Sequence, residues 1–334
     1  MQTPAADVEI TPALVERMLR RQHPDLLAEA GGAARLTPVA DGWDNVIYRL
    51  GERYAVRLPR RVVAAELVRN EQRWLPRLAG PLPVGIPVPV RVGEPDAGYP
   101  YPWSVTGWFD GTPADETPQA ERSAVAAELA AFHTALHTPA PADAPHNPVR
   151  GVLLATRSTA MRTRLESGSV PHAPEVAALW EDLVSAPPWP GPALWLHGDP
   201  HPANALLEGG VAGTTGPHLV AVLDFGDITA GDPATDLAAA WLWFDPVGRA
   251  AYRARLAELG HPGLASHAEA SHAEASRGAT PAGPGSAGIP GDPHLWRRAR
   301  GWALNMATAM TAASDDNPRM AALGAQMLRQ VLLG

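Results

Sequence analysis

The chain has 334 residues, of which 46% are apolar, enough to bury the core of one large domain or two modest ones. It contains no cysteine, which excludes a disulfide framework, a thiol nucleophile and a zinc site with cysteine ligands. The formal net charge of −8 argues against a nucleic-acid partner and is compatible with a cationic small substrate.

The N-terminal part predicts a helix followed by a small, mostly antiparallel sheet. The helix covers about 12–30 and ends at a pair of glycines. A second helix is predicted over about 62–78. Extended structure is indicated by the sequences RLTPVA, NVIYRL, YAVRLP, PLPVGIPVPVRVGEP and WSVTGWF.

From about residue 118 the pattern changes to helices, with a last one from about 293. We therefore predict an α+β fold of two lobes, with a β-rich N-terminal lobe over 1–107 and a larger, mostly helical C-terminal lobe over 108–334. Segment 261–292 contains SHAEA twice and a tail rich in Gly, Pro and Ser. Because it offers almost nothing to bury, we predict a disordered insertion there.

The sequence LWLHGDPHPANALL, residues 194–207, places a polar loop between two short apolar strands. A later apolar run ends just before Asp224. If this run, at 220–223, pairs with the strand at 205–207 as an antiparallel hairpin, Asn204 before the first strand and Asp224 after the second lie side by side. Two oxygen ligands beside the carboxylate of Asp199 predict a Mg²⁺ site. The spacing H-x-D-x-x-x-x-N followed by D-F-G is typical of phosphoryl-transfer enzymes of the protein-kinase type.

Two other interpretations of this loop remain open. His197, Asp199 and His201 alternate along the chain and could bind zinc in a hydrolase, with water as the nucleophile. That interpretation leaves Asn204 and Asp224 without a role. The loop could also be a capped turn with solvated polar groups. In the magnesium interpretation His197 shapes the loop, and His201 has no assigned role.

Glu71 lies on the apolar face of the helix over 62–78, beside Trp74 and Leu75. A carboxylate directed into a core needs a partner, and no arginine of the same helix is spaced to reach it. Arg57, near the end of the preceding strand, is the predicted partner. In kinases a strand cation held by a helix glutamate contacts the nucleotide phosphates. A purely structural ion pair is the alternative.

Two turns add weaker signals. The turn over 40–45 contains Gly42 and joins the first two strands, where a phosphate-covering loop would lie. Asp236 lies in the first turn of the helix that begins after Asp232, where a carboxylate could brace the catalytic loop. A helix cap without a catalytic role is the alternative for both aspartates.

Several of these sequences resemble the aminoglycoside phosphotransferase family. They are HGDPHPANALL, LDFGDITAGDPATDLA, RLPRR with NEQRWLPRL, and YPWSVTGWFDG. The similarity runs from about Thr37 to the helix at 237–244 and returns in RRARGWALNMA. The resemblance implies a protein-kinase-like fold and transfer of phosphate from ATP or GTP, with Mg²⁺, to a hydroxyl of a small molecule, often an antibiotic.

By this resemblance, Asp199 is similar to the catalytic aspartate that orients the substrate hydroxyl and accepts its proton. Asn204 and Asp224 are similar to the magnesium ligands, and Asp236 to the carboxylate behind the catalytic loop.

The resemblance also assigns a nucleotide site. Arg57 stands where the family often has lysine, with Glu71 as its brace, and the segment Gly107, Trp108 and Phe109 resembles the linker that meets the adenine. Arginine is bulkier and forked where lysine is a point charge, but it can still contact phosphate bidentately.

We therefore predict a small-molecule O-phosphotransferase acting on an aminoglycoside-type or related antibiotic. A kinase of an amino alcohol or sugar and a non-catalytic nucleotide-binding homologue are the alternatives. Asp227, Asp315 and Asp316 are candidates for contact with a cationic acceptor, although exposed acids are usually only solvated. Without a signal peptide or membrane-span pattern, we expect a cytoplasmic monomer or weak dimer that binds neither nucleic acid nor membrane.

Overall fold

The computed structural model describes residues 4–31, 36–209, 216–264, 291–314 and 316–334. Its N-terminal part contains a five-stranded antiparallel sheet with the order β1-β2-β3-β5-β4. The strands are β1 (Leu36–Asp41), β2 (Asn45–Leu50), β3 (Tyr54–Pro59), β4 (Pro89–Gly93) and β5 (Trp103–Gly107). Helix α3 (Val62–Leu78) is inserted between β3 and β4. The predicted small antiparallel sheet with one inserted helix is confirmed.

The first predicted helix is in fact two helices, α1 (Pro12–Gln22) and α2 (Pro24–Glu29). The chain breaks at His23, whose φ of −140° and ψ of 56° are not helical. Pro24 explains the break, because proline lacks an N–H and its ring disfavours helical angles at the residue before it. Both helices bury apolar side chains against the sheet, including Met18 and Leu19 of α1.

The described residues after β5 are mostly helical, as predicted. The longer helices are α5 (Ala126–Leu136), α6 (Ser158–Glu166), α7 (Ala173–Val184), α10 (Pro246–Glu258), α11 (Leu295–Ala312) and α12 (Pro318–Leu333). Short helices are α4 (Gln119–Arg122), α8 (Ala234–Leu237) and α9 (Ala239–Leu242). One core joins most of them through buried side chains such as Phe132, Trp180, Leu237, Trp302 and Met327. None of the helices in the described ranges is long and apolar enough to cross a membrane.

Short strands position the polar loop. They are β6 (Thr112–Pro113), β7 (Leu194–Leu196), β8 (Ala205–Glu208), β9 (His218–Val222) and β10 (Thr229–Gly231). Strands β8 and β9 form the predicted antiparallel hairpin, with Ala205 opposite Val222. Strand β7 pairs with β10. The loop over 197–204 therefore connects two strands whose positions are fixed by different partners.

The predicted disordered insertion over 261–292 lies outside the described residues from 265 to 290. Its two ends are described, and they belong to the helical core. His261 is completely buried, and buried Asp292 forms an ion pair with Arg298 at 2.5 Å. The predicted boundaries are therefore too wide, because composition does not reveal the partners that other helices supply to these polar side chains.

Candidate active site

The backbone of the polar loop begins with a turn that requires glycine. Gly198 has a φ of +90°, and a Cβ there would lie 2.4 Å from the carbonyl oxygen of Asp227. The carboxylate of Asp236 holds the turn, since it accepts hydrogen bonds from the N–H of His197 at 2.7 Å and of Gly198 at 2.8 Å. Asp236 is completely buried. It therefore fixes the loop from the side of the core.

His197 stabilises the loop through both nitrogens of its ring. Nε2 donates to the carbonyl oxygen of Leu223 at 2.8 Å, and Nδ1 accepts from the N–H of Asp199 at 3.2 Å. The ring also packs edge-on against Phe225, with centroids 4.6 Å apart. With both nitrogens engaged, His197 is not available as a metal ligand.

The zinc-hydrolase interpretation fails in the described part of the chain. No group of three or more His, Cys, Asp or Glu side chains there is arranged to hold a metal ion. His201 directs Nε2 at the carboxylate of Asp199, 3.1 Å away, and its Nδ1 is buried without a hydrogen-bond partner. The alternating His and Asp residues thus form an internal contact.

Three side chains orient the carboxylate of Asp199. Its Oδ2 accepts from His201 and, at 3.2 Å, from Nδ2 of Asn204, while its Oδ1 lies 3.3 Å from Nη2 of Arg150. Burial alone would raise the pKa of Asp199, but His201 and Arg150 outweigh this effect and hold the pKa well below its usual range. Asp199 is therefore ionised, with its orientation set by its neighbours.

Asn204 and Asp224 lie at the end of the β8–β9 hairpin. The N–H of Leu223 donates to the carbonyl oxygen of Asn204 at 2.7 Å, which continues the ladder by one residue and brings Asp224 beside it. Asp224 has a left-handed backbone with a φ of 57°. Its side chain is 55% exposed. Both side chains line one cavity of about 510 Å³.

Arg57 forms the ion pair that the helix pattern predicts. Its Nη1 donates to Glu71 at 2.6 Å, and its Nη2 donates to Asp224 at 2.7 Å. When the amide of Asn45 is oriented with its oxygen towards the same guanidinium, this oxygen accepts from Nη2 and Nε at 3.0 and 3.2 Å. Burial raises the pKa of Glu71 to about 7, against the opposing effect of Arg57. One buried cation therefore joins the sheet, helix α3 and the residue after the hairpin.

The cavity of about 510 Å³ brings together residues that the sequence assigns to a nucleotide site. The turn between β1 and β2 contributes Gly42 and Trp43, and the end of β5 contributes Gly107, Trp108 and Phe109. Arg57, Asn204 and Asp224 complete this lining, whereas Glu71 lies behind Arg57.

The predicted acceptor residues differ in their surroundings. Asp227 already has partners, since Asn147 donates to it at 2.8 Å and Nε of Arg150 lies 3.1 Å away. Burial raises its pKa. Asp316 is exposed between α11 and α12, and Asp315 lies outside the described residues.

Two residues near the loop were missed by the sequence reasoning. Arg150 contacts both Asp199 and Asp227, but it lies in a loop without periodicity, and no local signal distinguishes it. His137 lies 3.1 Å from Asp236. It follows His133 by four residues at the end of an apolar helix, and this spacing of two polar rings on one helix face was the available signal.

The chain matches the model of the phosphotransferase enzyme family over residues 35–270. No curated protein matches it.

Solved structures share its fold at low sequence identity. Aminoglycoside 2′-phosphotransferase-IIIa in complex with GDP matches with a TM-score of 0.64 and 16% identity, covering 97% of this chain and 99% of that chain. Macrolide 2′-phosphotransferase MphH from Brachybacterium faecium matches with a TM-score of 0.52 and 21% identity, over 91% and 95% of the two chains. A thermostable mutant of APH(4)-Ia with ADP and hygromycin B has a TM-score of 0.52 and 16% identity, over 92% and 97%.

Proposed function

Because the chain belongs to the phosphotransferase enzyme family, we propose that it transfers the γ-phosphoryl group of ATP or GTP to a hydroxyl of a small-molecule antibiotic. One observation carries the proposal: Asn204 and Asp224 line the same cavity as Arg57, and Asn204 is hydrogen-bonded to Asp199. Phosphoryl transfer needs a phosphate-binding cation, oxygen ligands for magnesium and a carboxylate for the acceptor at one place.

In the proposed reaction the acceptor oxygen bonds to the γ-phosphorus while the bond to the bridging oxygen of the leaving nucleoside diphosphate breaks. Asp199 orients the acceptor hydroxyl and takes up its proton. His201, Asn204 and Arg150 hold this carboxylate before the acceptor arrives. Because such a transition state is loose, positioning of this kind supplies much of the rate enhancement.

The residues at the end of the hairpin fit a magnesium ion. Asn204 donates through Nδ2 to the backbone oxygen and to the carboxylate of Asp199, which leaves its Oδ1 available as an acceptor. Asp224 adds a half-exposed carboxylate. Amide and carboxylate oxygens, with phosphate and water, are the ligands that Mg²⁺ takes. Asn204 and Asp224 would hold the ion, which neutralises phosphate charge when bound.

Arg57 is the proposed contact for the nucleotide phosphates, with Glu71 holding it towards the cavity. We assign Gly107, Trp108 and Phe109 to the base and the turn with Gly42 to the phosphates. Similar structures are complexes with GDP or with ADP, so both ATP and GTP are proposed donors.

Hydroxyl groups of aminoglycosides or macrolides are the proposed acceptors. Similar structures are complexes with kanamycin, gentamicin or hygromycin B, and one similar protein is a macrolide 2′-phosphotransferase. Asp227 is paired with Arg150 and Asn147, so a cationic acceptor would have to compete for it.

We also propose that the lobe boundary follows Gly107, where β5 ends. A cytoplasmic protein fits the use of nucleoside triphosphates. The proposed oligomeric state is a monomer or weak dimer, since large apolar side chains on the described surface are exposed mostly singly or in pairs.

The test is a mass-spectrometric screen of the purified protein with ATP or GTP and Mg²⁺. The panel contains kanamycin, gentamicin, hygromycin B, a macrolide and an amino alcohol, each with and without the enzyme. We expect an antibiotic to gain one phosphoryl group, and Asp199→Ala to yield none. If nucleotide binds with Mg²⁺ but no acceptor gains phosphate, the proposal is wrong.

A further inference from the structure

A chain of buried hydrogen bonds runs from the catalytic loop to the residues that follow helix α10. Oδ2 of Asp236, which holds the N–H of His197, also lies 3.1 Å from Nε2 of His137. Nδ1 of His137 lies 2.7 Å from Nε2 of His261. Nδ1 of His261 lies 3.1 Å from the backbone nitrogen of Gly263. His137, His261 and Asp236 have no exposed surface.

The position of each ring proton follows from the hydrogen bond at the Gly263 end of this series. The N–H of Gly263 donates, so Nδ1 of His261 accepts and the proton of this ring is on Nε2. That proton is donated to Nδ1 of His137, whose own proton is therefore on Nε2 and is donated to Asp236. Both rings are neutral, and each ring nitrogen has one partner.

The surroundings keep the ring of His261 neutral. His133 stacks on His137 with ring centroids 5.5 Å apart, and its Nδ1 lies 2.6 Å from the hydroxyl of Tyr252. Burial lowers the pKa of His261 and lowers that of His133 to about 3. Asp236 is the only formal charge among these five groups. Burial alone would raise its pKa, but the hydrogen bond from His137 helps to lower it to about 2.

We propose that His261 is a positioning residue that acts through His137 to fix the carboxylate of Asp236 on the two amides of the catalytic loop. Asp199 is the next residue after Gly198, so the turn that Asp236 holds also places the proposed acceptor-binding carboxylate. The effect on turnover rests on the proposed function, whereas the effect on the loop backbone does not.

His261 matters for this position because Nδ1 of His137 is a buried hydrogen-bond acceptor that needs a donor. Without the proton from His261, Nδ1 of His137 would be a buried acceptor with no partner, which is costly in a protein interior. Rotation of the ring, or uptake of a second proton, would relieve this cost. Either change alters the hydrogen bond to Oδ2 of Asp236, the same oxygen that holds the N–H of His197.

Two substitutions of His261 distinguish its role as a hydrogen-bond donor from simple filling of the core. His261→Gln introduces an amide that can donate through its nitrogen and accept through its oxygen, whereas His261→Leu fills the space and does neither. His133→Phe is the matched control, because it removes a buried imidazole that stacks on His137 but makes none of the hydrogen bonds between His261 and Asp236.

The first measurement is hydrogen–deuterium exchange of the full chain, read on peptides that contain His197 and Gly198 and compared with peptides of helix α7. We expect His261→Leu to speed exchange of the loop amides ~10-fold relative to α7, as loss of one hydrogen bond implies. His261→Gln and His133→Phe should leave that ratio close to wild type. Equal exchange in the Leu and Gln variants would overturn the proposal.

The second measurement is the steady-state hydrolysis of ATP with Mg²⁺, which uses water as the acceptor. We expect His261→Leu to lower kcat ~10-fold with an unchanged KM for ATP, and His261→Gln to restore kcat. A raised KM with unchanged kcat would contradict the positioning role. If wild type hydrolyses no ATP and phosphorylates nothing, the proposed function fails, while the exchange experiment still decides the role of His261.

Discussion

Nη2 of Arg57 lies 2.7 Å from Oδ1 of Asp224, so the cation of strand β3 contacts the carboxylate assigned to magnesium. The same guanidinium donates from Nη1 to Glu71. A lysine ammonium is a single point charge and cannot present two nitrogens at fixed separation. The forked group therefore donates to the helix glutamate from one nitrogen and to the carboxylate at the cavity from the other.

We expect Arg57→Lys to raise the KM for the nucleotide about 10-fold or more, since it removes a charge-assisted hydrogen bond worth ~1.5–3 kcal/mol. Steady-state kinetics with ATP and GTP would measure this change. Arg69→Lys, on the exposed face of α3 beside Glu66, is the matched control and should leave KM unchanged. Equal KM values for the two variants would show that Arg57 does not contact the nucleotide.

For Asp199→Asn we expect kcat to fall ~10²–10⁴-fold, the range typical for loss of a residue that accepts a proton in the transition state. Nucleotide affinity should be retained, because Asp199 does not line the cavity of about 510 Å³. Product formation and nucleotide titration measure the two effects separately. A variant that transfers phosphate at the wild-type rate would contradict the role given to Asp199.

Asp224→Asn should act on nucleotide binding through the metal. We expect the variant to lose the increase in nucleotide affinity that Mg²⁺ produces, because a neutral amide replaces the half-exposed carboxylate at the cavity. Calorimetric titrations with Mg²⁺ and with a chelator would show this, with the chelator series as the internal control. The same gain on adding Mg²⁺ in variant and wild type would exclude Asp224 as a ligand.

Arg150→Gln should change the pH dependence of turnover. Arg150 is among the groups that hold the pKa of Asp199 below its usual range, so its removal raises that pKa. Since the reaction needs the ionised carboxylate, the acid limb of the profile of kcat against pH should move to higher pH. Arg255→Gln, an exposed change beside Glu258, is the control. If the acid limbs of variant and wild type coincide, Arg150 does not lower the pKa of Asp199.

Much of the site was predictable because it depends on local order along the chain. A hairpin fixes which residues precede and follow it, so the placement of Asn204 and Asp224 followed from two apolar strands. The partner of Glu71 followed from helix periodicity, because a buried carboxylate with no arginine on its own helix requires one from outside.

The contacts that were not predicted join residues far apart in sequence. Arg150 reaches Asp199 from a loop 49 residues earlier, and His137 meets His261 across 124 residues. Neither segment has a pattern that encodes its partner, so only the packed fold brings them together. For the same reason the buried position of His261, at one end of the predicted insertion, was missed.

Asp236→Asn should destabilise the protein in a pH-dependent way. The pKa of Asp236 is lowered from 3.8 to about 2, so the carboxylate adds about 2 kcal/mol to the free energy of unfolding at pH 7. Because the pKa is lowered on folding, this stabilisation is present above pH 3.8 and is lost as the pH falls towards 2, with about half of it gone at pH 3. Urea denaturation at pH 7, 5 and 3 measures the difference in the free energy of unfolding between wild type and variant. This difference should be the same at pH 7 and pH 5 and smaller at pH 3. A gap that is equal at all three pH values would mean that the hydrogen bonds to His197 and Gly198 do not depend on the charge of this carboxylate.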